Sequence, residues 1–310
     1  MAESSCSTLI QISTAKVQGM ALDILRITDP GCPFAYSAEP AQTVLLNRYR
    51  DQINWSIAMI GLAEDGSVYT ERGYGPTEMA KTYATFSRRY GMPVTSEARD
   101  RPLATWPACR VVIATRLTNP ESEAAVQRAL QVAWFTTTAL LDEDEPLIEA
   151  ISEVKGIDAA AIVSKASSDA EVAEVFAADR AKARSADGSP TQAQGKHAMD
   201  GSVARYTAPS LLMHDQGGRP LEAGGFQPVE AYDVVIANAD PTLTRHSSDT
   251  PLEVLEASAW PLSTAEVASV LTAPFTPRDD AAVEQDLIAL AAEGRVARKP
   301  AGNGVFWSIS

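Results

Sequence analysis

Met20-Ala-Leu-Asp-Ile-Leu-Arg-Ile27, then Thr28-Asp-Pro-Gly31, then Cys32-Pro-Phe-Ala-Tyr36 is the stretch on which the reading of this chain turns. Its first part is rich in branched apolar residues and predicts a buried strand over 20–27. Thr28-Asp29-Pro30-Gly31 is a turn signal. Pro33 suits the first turn of a helix, where its missing N–H leaves no hydrogen bond unmade. That helix is expected to run through Tyr36 to about Arg50, with Val44, Leu45 and Tyr49 facing inward. Pro40 lies inside it and should kink it or split it in two. Ile53 to Ile60 reads as a second strand, so the unit is strand–helix–strand with parallel strands. Cys32 therefore follows a strand and opens a helix. There the unpaired N–H groups and the positive end of the helix dipole are expected to lower a thiol pKa from about 8.5 and make the sulfur nucleophilic near neutrality. The competing reading is a buried, inert cysteine.

Working outward, helical spacing dominates from about Pro76 to Lys182, over 77–90, 103–117, 122–141, 146–154, 157–164 and 170–186, with breaks at Gly91-Met-Pro93, Asn119-Pro120 and Gly156. Asp187 to Ser202 reads as a polar loop. Ser210 to His214 and Arg219 to Ala223 read as two antiparallel strands joined at Asp215-Gln-Gly-Gly218. A helix is expected from Pro228 to about Ala239. Beyond 246 the pattern changes again. Ser263-Thr-Ala-Glu266 has the form of a capping box, helices are expected at about 264–272 and 278–293, and a hairpin around Gly302-Asn-Gly304. Helix, helix, hairpin is a winged-helix outline. Residues 1–17 read as a loose polar leader.

Asp29-Pro-Gly-Cys-Pro-Phe-Ala-Tyr36 resembles the active-site turn of DsbA-like thioredoxin-fold proteins. That group includes DsbA and FrnE-type oxidoreductases, 2-hydroxychromene-2-carboxylate isomerases and kappa-class glutathione transferases. Arg205-Tyr-Thr-Ala-Pro-Ser210 resembles the segment that holds the cis-proline of that fold, with Pro209 in its place, although Pro209 could simply begin a strand. Gly224-Gly-Phe-Gln-Pro-Val-Glu-Ala-Tyr232 resembles the final strand-to-helix junction. The resemblance spans roughly 20 to 245. It implies an α/β, thioredoxin-like fold over 18–245, with a large helical subdomain inserted at about 76–200 and a small winged-helix-like unit at 246–310. It also implies that Cys32 and Pro33 form the reactive turn, and that Asp29, Phe34, Ala35, Tyr36, Thr207, Ala208 and Pro209 line the substrate groove, the Thr207–Ala208 backbone pairing with a bound thiol compound or extended peptide.

One departure from the family pattern matters. The redox motif of these oxidoreductases is Cys-x-x-Cys, and here it reads Cys32-Pro-Phe-Ala35. Ala35 has no thiol, so the local disulfide of the motif cannot form, whether the alanine is natural or introduced to trap mixed disulfides. Cys6 in the leader could resolve in its place; Cys109 sits in a helical pattern and reads as core filler. A lone thiol can still attack a disulfide and be resolved by an external small thiol such as glutathione or mycothiol. The first expectation is accordingly a monothiol thiol–disulfide oxidoreductase or thiol-transferase, with no covalently bound cofactor. The second is a thiol-cofactor-dependent transferase or isomerase of the kappa-transferase type, in which Cys32 or Thr28 orients a bound thiol. The third is a non-catalytic binding module.

Other candidates carry bland readings beside the functional ones. Asp29 could take a proton or cap its turn. Arg88 and Arg89 could hold carboxylates or line a solvated helix face. Trp106 could pack on substrate or in the core. Trp134-Phe135 reads as core, Asp142 to Glu145 as a solvated acidic run, and His214 as an acid–base group only weakly. Three cysteines and three histidines are too scattered for a metal site or a disulfide framework.

The formal net charge of −14 over 310 residues disfavours nucleic acid and anionic membranes as partners. The winged-helix-like tail has four bases against nine acids, which argues against DNA and for packing or dimerisation. Related folds often dimerise, which admits a homodimer. No run of about 18 apolar residues and no signal-peptide pattern appear, so the cytoplasm is the default location.

Overall fold

The computed structural model describes residues 21–310, so the leader and Cys6 lie outside the described residues. The chain begins in the central sheet. β1 (Leu22–Thr28) and β2 (Ile53–Met59) run parallel in register from Leu22 opposite Ile53 to Thr28 opposite Met59. Between them the helix expected over 33–50 is two helices, α1 (Pro33–Ser37) and α2 (Glu39–Tyr49), broken at Ala38. Pro40 falls in the first turn of α2, where a missing N–H is tolerated, so it starts the second helix instead of kinking one. Ile24 and Ile27 of β1 and Leu45 and Tyr49 of α2 are fully buried.

The helical insertion comprises α3 (Ser67–Glu71), α4 (Pro76–Tyr90), α5 (Trp106–Thr118), α6 (Glu123–Thr136), α7 (Asp144–Ile151), α8 (Ala159–Ser168), α9 (Ala170–Ala183) and the single turn α10 (Pro190–Ala193). Asp158 and Asp169 cap α8 and α9, and Gly91 closes α4 with φ +88°. α5 is buried on nearly every side, with Ala108, Cys109, Val111, Val112, Ile113 and Ala114 at 0% exposure, so it is the axis of the insertion.

The stretch to 202 is not the loop that its polarity suggests. β3 (His197–Asp200) and β4 (Val203–Tyr206) form a hairpin outside the central sheet, turning at Gly201 (φ +62°). Strands of four residues with one polar face give too little alternation to read. β5 (Ser210–His214) and β6 (Pro220–Ala223) then complete the sheet in the order β2-β1-β5-β6, β5 antiparallel to β1 and β6 antiparallel to β5, and α11 (Val229–Ala239) packs against them.

The C-terminal stretch runs α12 (Pro251–Glu256), β7 (Leu262–Ser263), α13 (Thr264–Leu271), α14 (Asp280–Ala292), β8 (Val296–Ala301), β9 (Gly304–Ile309), with a three-stranded sheet ordered β7-β9-β8. It has its own apolar cluster around Val267, Leu287 and Trp307. The Ser263–Glu266 capping box forms as the sequence predicts. Glu266 does more than cap: fully buried, it also accepts from Thr43 Oγ1 (3.1 Å) and Arg128 Nη2 (2.6 Å). Arg128 lies 3.6 Å from Glu39, which pairs with Arg26. One chain of alternating buried charges therefore joins β1, α2, α6 and α13. Removing any member would leave a charge uncompensated in low dielectric.

Candidate functional site

Cys32 is the residue before α1. Its N–H donates to Asp29 O (3.2 Å), and its thiol lies 3.4 Å from the carbonyl oxygen of Ala208. Ala208–Pro209 is a cis peptide. The segment is pinned from both sides. Thr207 Oγ1 donates to Lys196 O (3.0 Å), Ser210 Oγ to Thr207 O (2.6 Å), and Gly225 N–H to Ser210 Oγ (3.0 Å). Thus residues from the two halves of the chain, 176 positions apart, meet at one sulfur.

The electrostatics run against the expectation of an acidic thiol and toward the competing reading of a buried one. Cys32 is 5% exposed, packed with Ile27, Ala183, Ala204, Tyr206 and Ala208. Burial pushes its pKa up to about 12 and the Asp29 charge pushes the same way, against the N–H groups of Ala35 and Phe34 and the Arg205 guanidinium. The reason is one of magnitude. α1 has five residues, and a helix terminus contributes at most about 2 kcal/mol to a nearby charge, whereas full desolvation shifts a pKa by roughly 3–5 units.

Asp29 is not in a groove. It is fully buried and holds the turn together: Oδ1 accepts the Gly31 N–H (2.8 Å), and Oδ2 accepts from the Leu62 N–H (2.9 Å), Thr105 Oγ1 (3.0 Å) and Cys109 Sγ (3.5 Å). Burial raises its pKa. The capping reading of Asp29 thus describes its geometry, and Thr105 and Cys109 are partners that nothing in the motif announces. Gly31 is required here because a Cβ would sit 2.7 Å from the Trp134 ring and 2.9 Å from Thr105 Cγ2.

Tyr36 is likewise core, stacked on Phe135 at 4.6 Å with its hydroxyl donating to Pro93 O (2.7 Å). Ala35 is fully buried. Phe34 does face outward, at 45% exposure. It meets Phe86 (4.9 Å) and Phe226 (6.3 Å), and Phe226 meets Tyr90 (4.8 Å), so four rings from α1, α4 and the β6–α11 loop form a wall beside the turn.

Of the remaining candidates, Thr28 is buried with its hydroxyl unpartnered. Trp106 donates to Gly61 O (3.3 Å) and packs on Phe176 in the insertion. Arg89 lies over the Tyr90 ring (5.3 Å), and Arg88 donates to Thr85. His214 ends β5 at the opposite end from Ser210 and the cis peptide, out of the site. Among the described residues no cluster of three or more His, Cys, Asp or Glu could hold a metal ion, and no helix is long and apolar enough to cross a membrane.

No protein-family model matches the sequence, and no curated protein matches it. Solved structures do match in fold. A Streptomyces coelicolor structure described as a probable DsbA oxidoreductase aligns with a TM-score of 0.52 at 16% identity, covering 74% of this chain and 94% of its own. The cytosolic disulfide reductase DsbM from Pseudomonas aeruginosa gives 0.51 at 16% identity over 70% of this chain and 98% of its own. The same reductase solved with GSH gives 0.50 at 16% identity, with the same coverage. The fold is therefore the DsbA-like thioredoxin fold with its helical insertion.

Proposed function

We propose that this chain is a monothiol thiol–disulfide oxidoreductase or thiol-transferase that works through Cys32 and is resolved by an external small thiol. The observation that carries this reading is the Cys32 sulfur held 3.4 Å from the Ala208 carbonyl at the turn between β1 and α1, with Ala at position 35. Attack of the Cys32 thiolate on a disulfide forms a mixed disulfide and releases one thiolate, which takes up the proton given up by Cys32. With no thiol at 35, the second step falls to a free small thiol, whose thiolate attacks the substrate sulfur of the mixed disulfide, forms a disulfide with it and releases the Cys32 thiolate. A cytosolic disulfide reductase of this fold solved with GSH supports a small thiol as that partner. The proposal places the protein in the cytoplasm, where such thiols are kept reduced.

One observation favours a second reading. A thiol whose pKa is pushed up to about 12 stays protonated at neutral pH and acts as a hydrogen-bond donor. In that reading Cys32 orients a bound thiol in a transferase or isomerase. Mass spectrometry after incubation with glutathione disulfide distinguishes the two. A mixed disulfide on Cys32, absent in Cys32→Ser, supports exchange. Saturable binding of reduced glutathione without an adduct supports the second reading. Neither outcome leaves a non-catalytic binding module.

A further inference from the structure

We infer that the C-terminal stretch holds the Cys32 turn in place through a clamp in which Asn303 is the positioning residue and Pro93 and Tyr36 are the links. This rests on the reading that Cys32 is the working group of the site. It joins two motifs that the proposed function does not use, the helix break at Gly91-Met-Pro93 and the hairpin turn at Gly302-Asn-Gly304. Residues 90–94 are gripped one after another. Arg278 Nη2 donates to Tyr90 O (2.9 Å). Gly91 lies against α13, where a Cβ would sit 2.8 Å from that of Ala265. Ser263 Oγ donates to Met92 Sδ (3.3 Å), and the Pro93 ring lies against Gly304. Asn303 takes Val94 twice: its N–H donates to Val94 O (2.8 Å) and its Oδ1 accepts the Val94 N–H (2.8 Å). Its Nδ2 donates to Ser87 Oγ (3.1 Å). Gly302 is required for this approach, since a Cβ there would lie 2.4 Å from the Val94 carbonyl.

The same segment also bonds to the helix that carries the sulfur. Pro93 O accepts the Tyr36 hydroxyl (2.7 Å), and the Thr95 N–H donates to the carbonyl of Phe135 (2.8 Å), the residue whose ring stacks on Tyr36. The Tyr36 N–H in turn donates to Cys32 O (3.0 Å). A helix of five residues does not hold itself, so α1 depends on the anchors of its side chains. An open cleft of about 190 Å³, lined by Pro33, Tyr36, Phe86, Met92, Val94 and Phe135, gives Tyr36 room to shift once Pro93 leaves its hydroxyl. Release of Val94 therefore frees Pro93, then Tyr36, and loosens the turn in which Cys32 is buried. Burial is the largest influence on that sulfur, so a looser turn makes it more accessible and more reactive.

The test is the iodoacetamide labelling rate of the Cys32 peptide in the full chain at one pH. Asn303→Ala removes both side-chain bonds from an exposed turn, and Tyr36→Phe removes only the hydroxyl. Each should speed labelling about fivefold, the worth of one buried hydrogen bond. The double variant should be no faster than the faster single, because both cut one route; independent loosening would multiply to about 25-fold. Asn303→Asp keeps an acceptor for the Val94 N–H and should restore most of the wild-type rate. Lys299→Ala cuts a different contact of the same stretch, to Glu153 just beyond α7, and should leave the rate unchanged. A wild-type rate in Asn303→Ala, rates that multiply in the double variant, or equal speeding by Lys299→Ala each overturn the clamp. If Cys32 labels as expected but glutathione disulfide leaves no adduct on it, the exchange reading fails and the clamp stands. If Cys32 labels in none of these proteins, hydrogen exchange of the Phe34–Ser37 amides decides by the same cycle. Faster exchange in Asn303→Ala, to which Tyr36→Phe adds nothing, sustains the clamp; unchanged exchange overturns it.

Discussion

Asp29→Asn separates the two things that this buried carboxylate does. In the wild type, one oxygen serves the Gly31 N–H at 2.8 Å, and the other serves the Leu62 N–H at 2.9 Å, the Thr105 hydroxyl at 3.0 Å and the Cys109 thiol at 3.5 Å. An amide keeps one oxygen for Gly31 and turns an NH2 toward the others. The Thr105 hydroxyl can rotate and accept, but the Leu62 N–H is left buried without an acceptor. An orphaned buried N–H costs about 1–3 kcal/mol, so Asp29→Asn should lose about 2 kcal/mol near pH 7, and Asp29→Ala, which also orphans Gly31, about 4 kcal/mol. Burial raises the folded-state pKa of Asp29, so its contribution is fully present below the unfolded value of 3.8 and declines as pH rises through the folded one. The gap between wild type and Asp29→Asn should therefore be widest in acid and narrow toward neutrality. The same substitution acts oppositely on the sulfur. Asp29 raises the Cys32 pKa, so without its charge the thiol becomes more acidic, each unit giving about tenfold more thiolate at fixed pH. Urea unfolding measures the first effect. Iodoacetamide labelling of the Cys32 peptide against pH measures the second, because a lower pKa displaces the whole profile whereas looser packing raises it uniformly. A variant as stable as wild type, or one whose labelling profile stays in place, refutes the reasoning.

Wild-type Cys32 should label about tenfold faster per pH unit from about 7 to 10 with no plateau, since its pKa lies near 12; a plateau near neutrality in the labelled peptide contradicts the burial argument. Asp200→Asn frees Arg184 from a half-exposed pair that ties β3 to α9 over the sulfur, a loss of about 0.5 kcal/mol that should speed labelling about twofold, measured at one pH. Glu266→Ala strands Arg128 in the seam between α6, α2 and α13 and should cost about 3–5 kcal/mol in urea unfolding; a loss below about 1 kcal/mol would show that the charges are solvated. Ala35→Cys places a second thiol one helical turn from Cys32. Thiol titration should then show a reversible loss of two groups on oxidation, and the mixed disulfide with glutathione should no longer accumulate.

The turn at Cys32 and the fold around it were legible because each rested on local chemistry. Pro30-Gly31 and Pro33 state a turn and a helix start, Pro40 states a second start, and Ser263 with Glu266 states a cap, all within a few residues. What failed to be legible is what comes from elsewhere in the chain. The motif around Cys32 describes a strand, a turn and a helix N-terminus, which together suggest an acidic thiol. Its actual pKa is set by Ala183, Ala186, Ala204, Tyr206 and Ala208, small or aromatic residues about 150–175 positions downstream that no spacing connects to it. Asp29 read as a turn cap, a proton acceptor or a groove residue and not as a four-way acceptor, because its partners Leu62, Thr105 and Cys109 lie on two other segments, the stretch after β2 and the start of α5.

The cover over the sulfur also bears on how the site would work. It comes from the end of α9 and from the β3–β4 hairpin, a two-stranded sheet that adds nothing to the ladder β2-β1-β5-β6. The hairpin is joined to α9 by the Arg184–Asp200 pair, to the chain just beyond α9 by the Ala186 N–H to Ala204 O bond at 3.3 Å, and to β6 by the Tyr206 hydroxyl donating to Glu222 Oε1 at 2.7 Å, fewer bonds than the ladder of a central strand. Segments held this way open at a smaller free energy than the core they cover. On the proposed exchange reading a disulfide reaches Cys32 by displacing this cover, and the exchange rate is then the opening equilibrium multiplied by the intrinsic thiol chemistry. Opening also removes the desolvation that raises the thiol pKa. On that reading access and nucleophilicity are one variable, set by the hairpin whose Ala204 and Tyr206 pack around the sulfur.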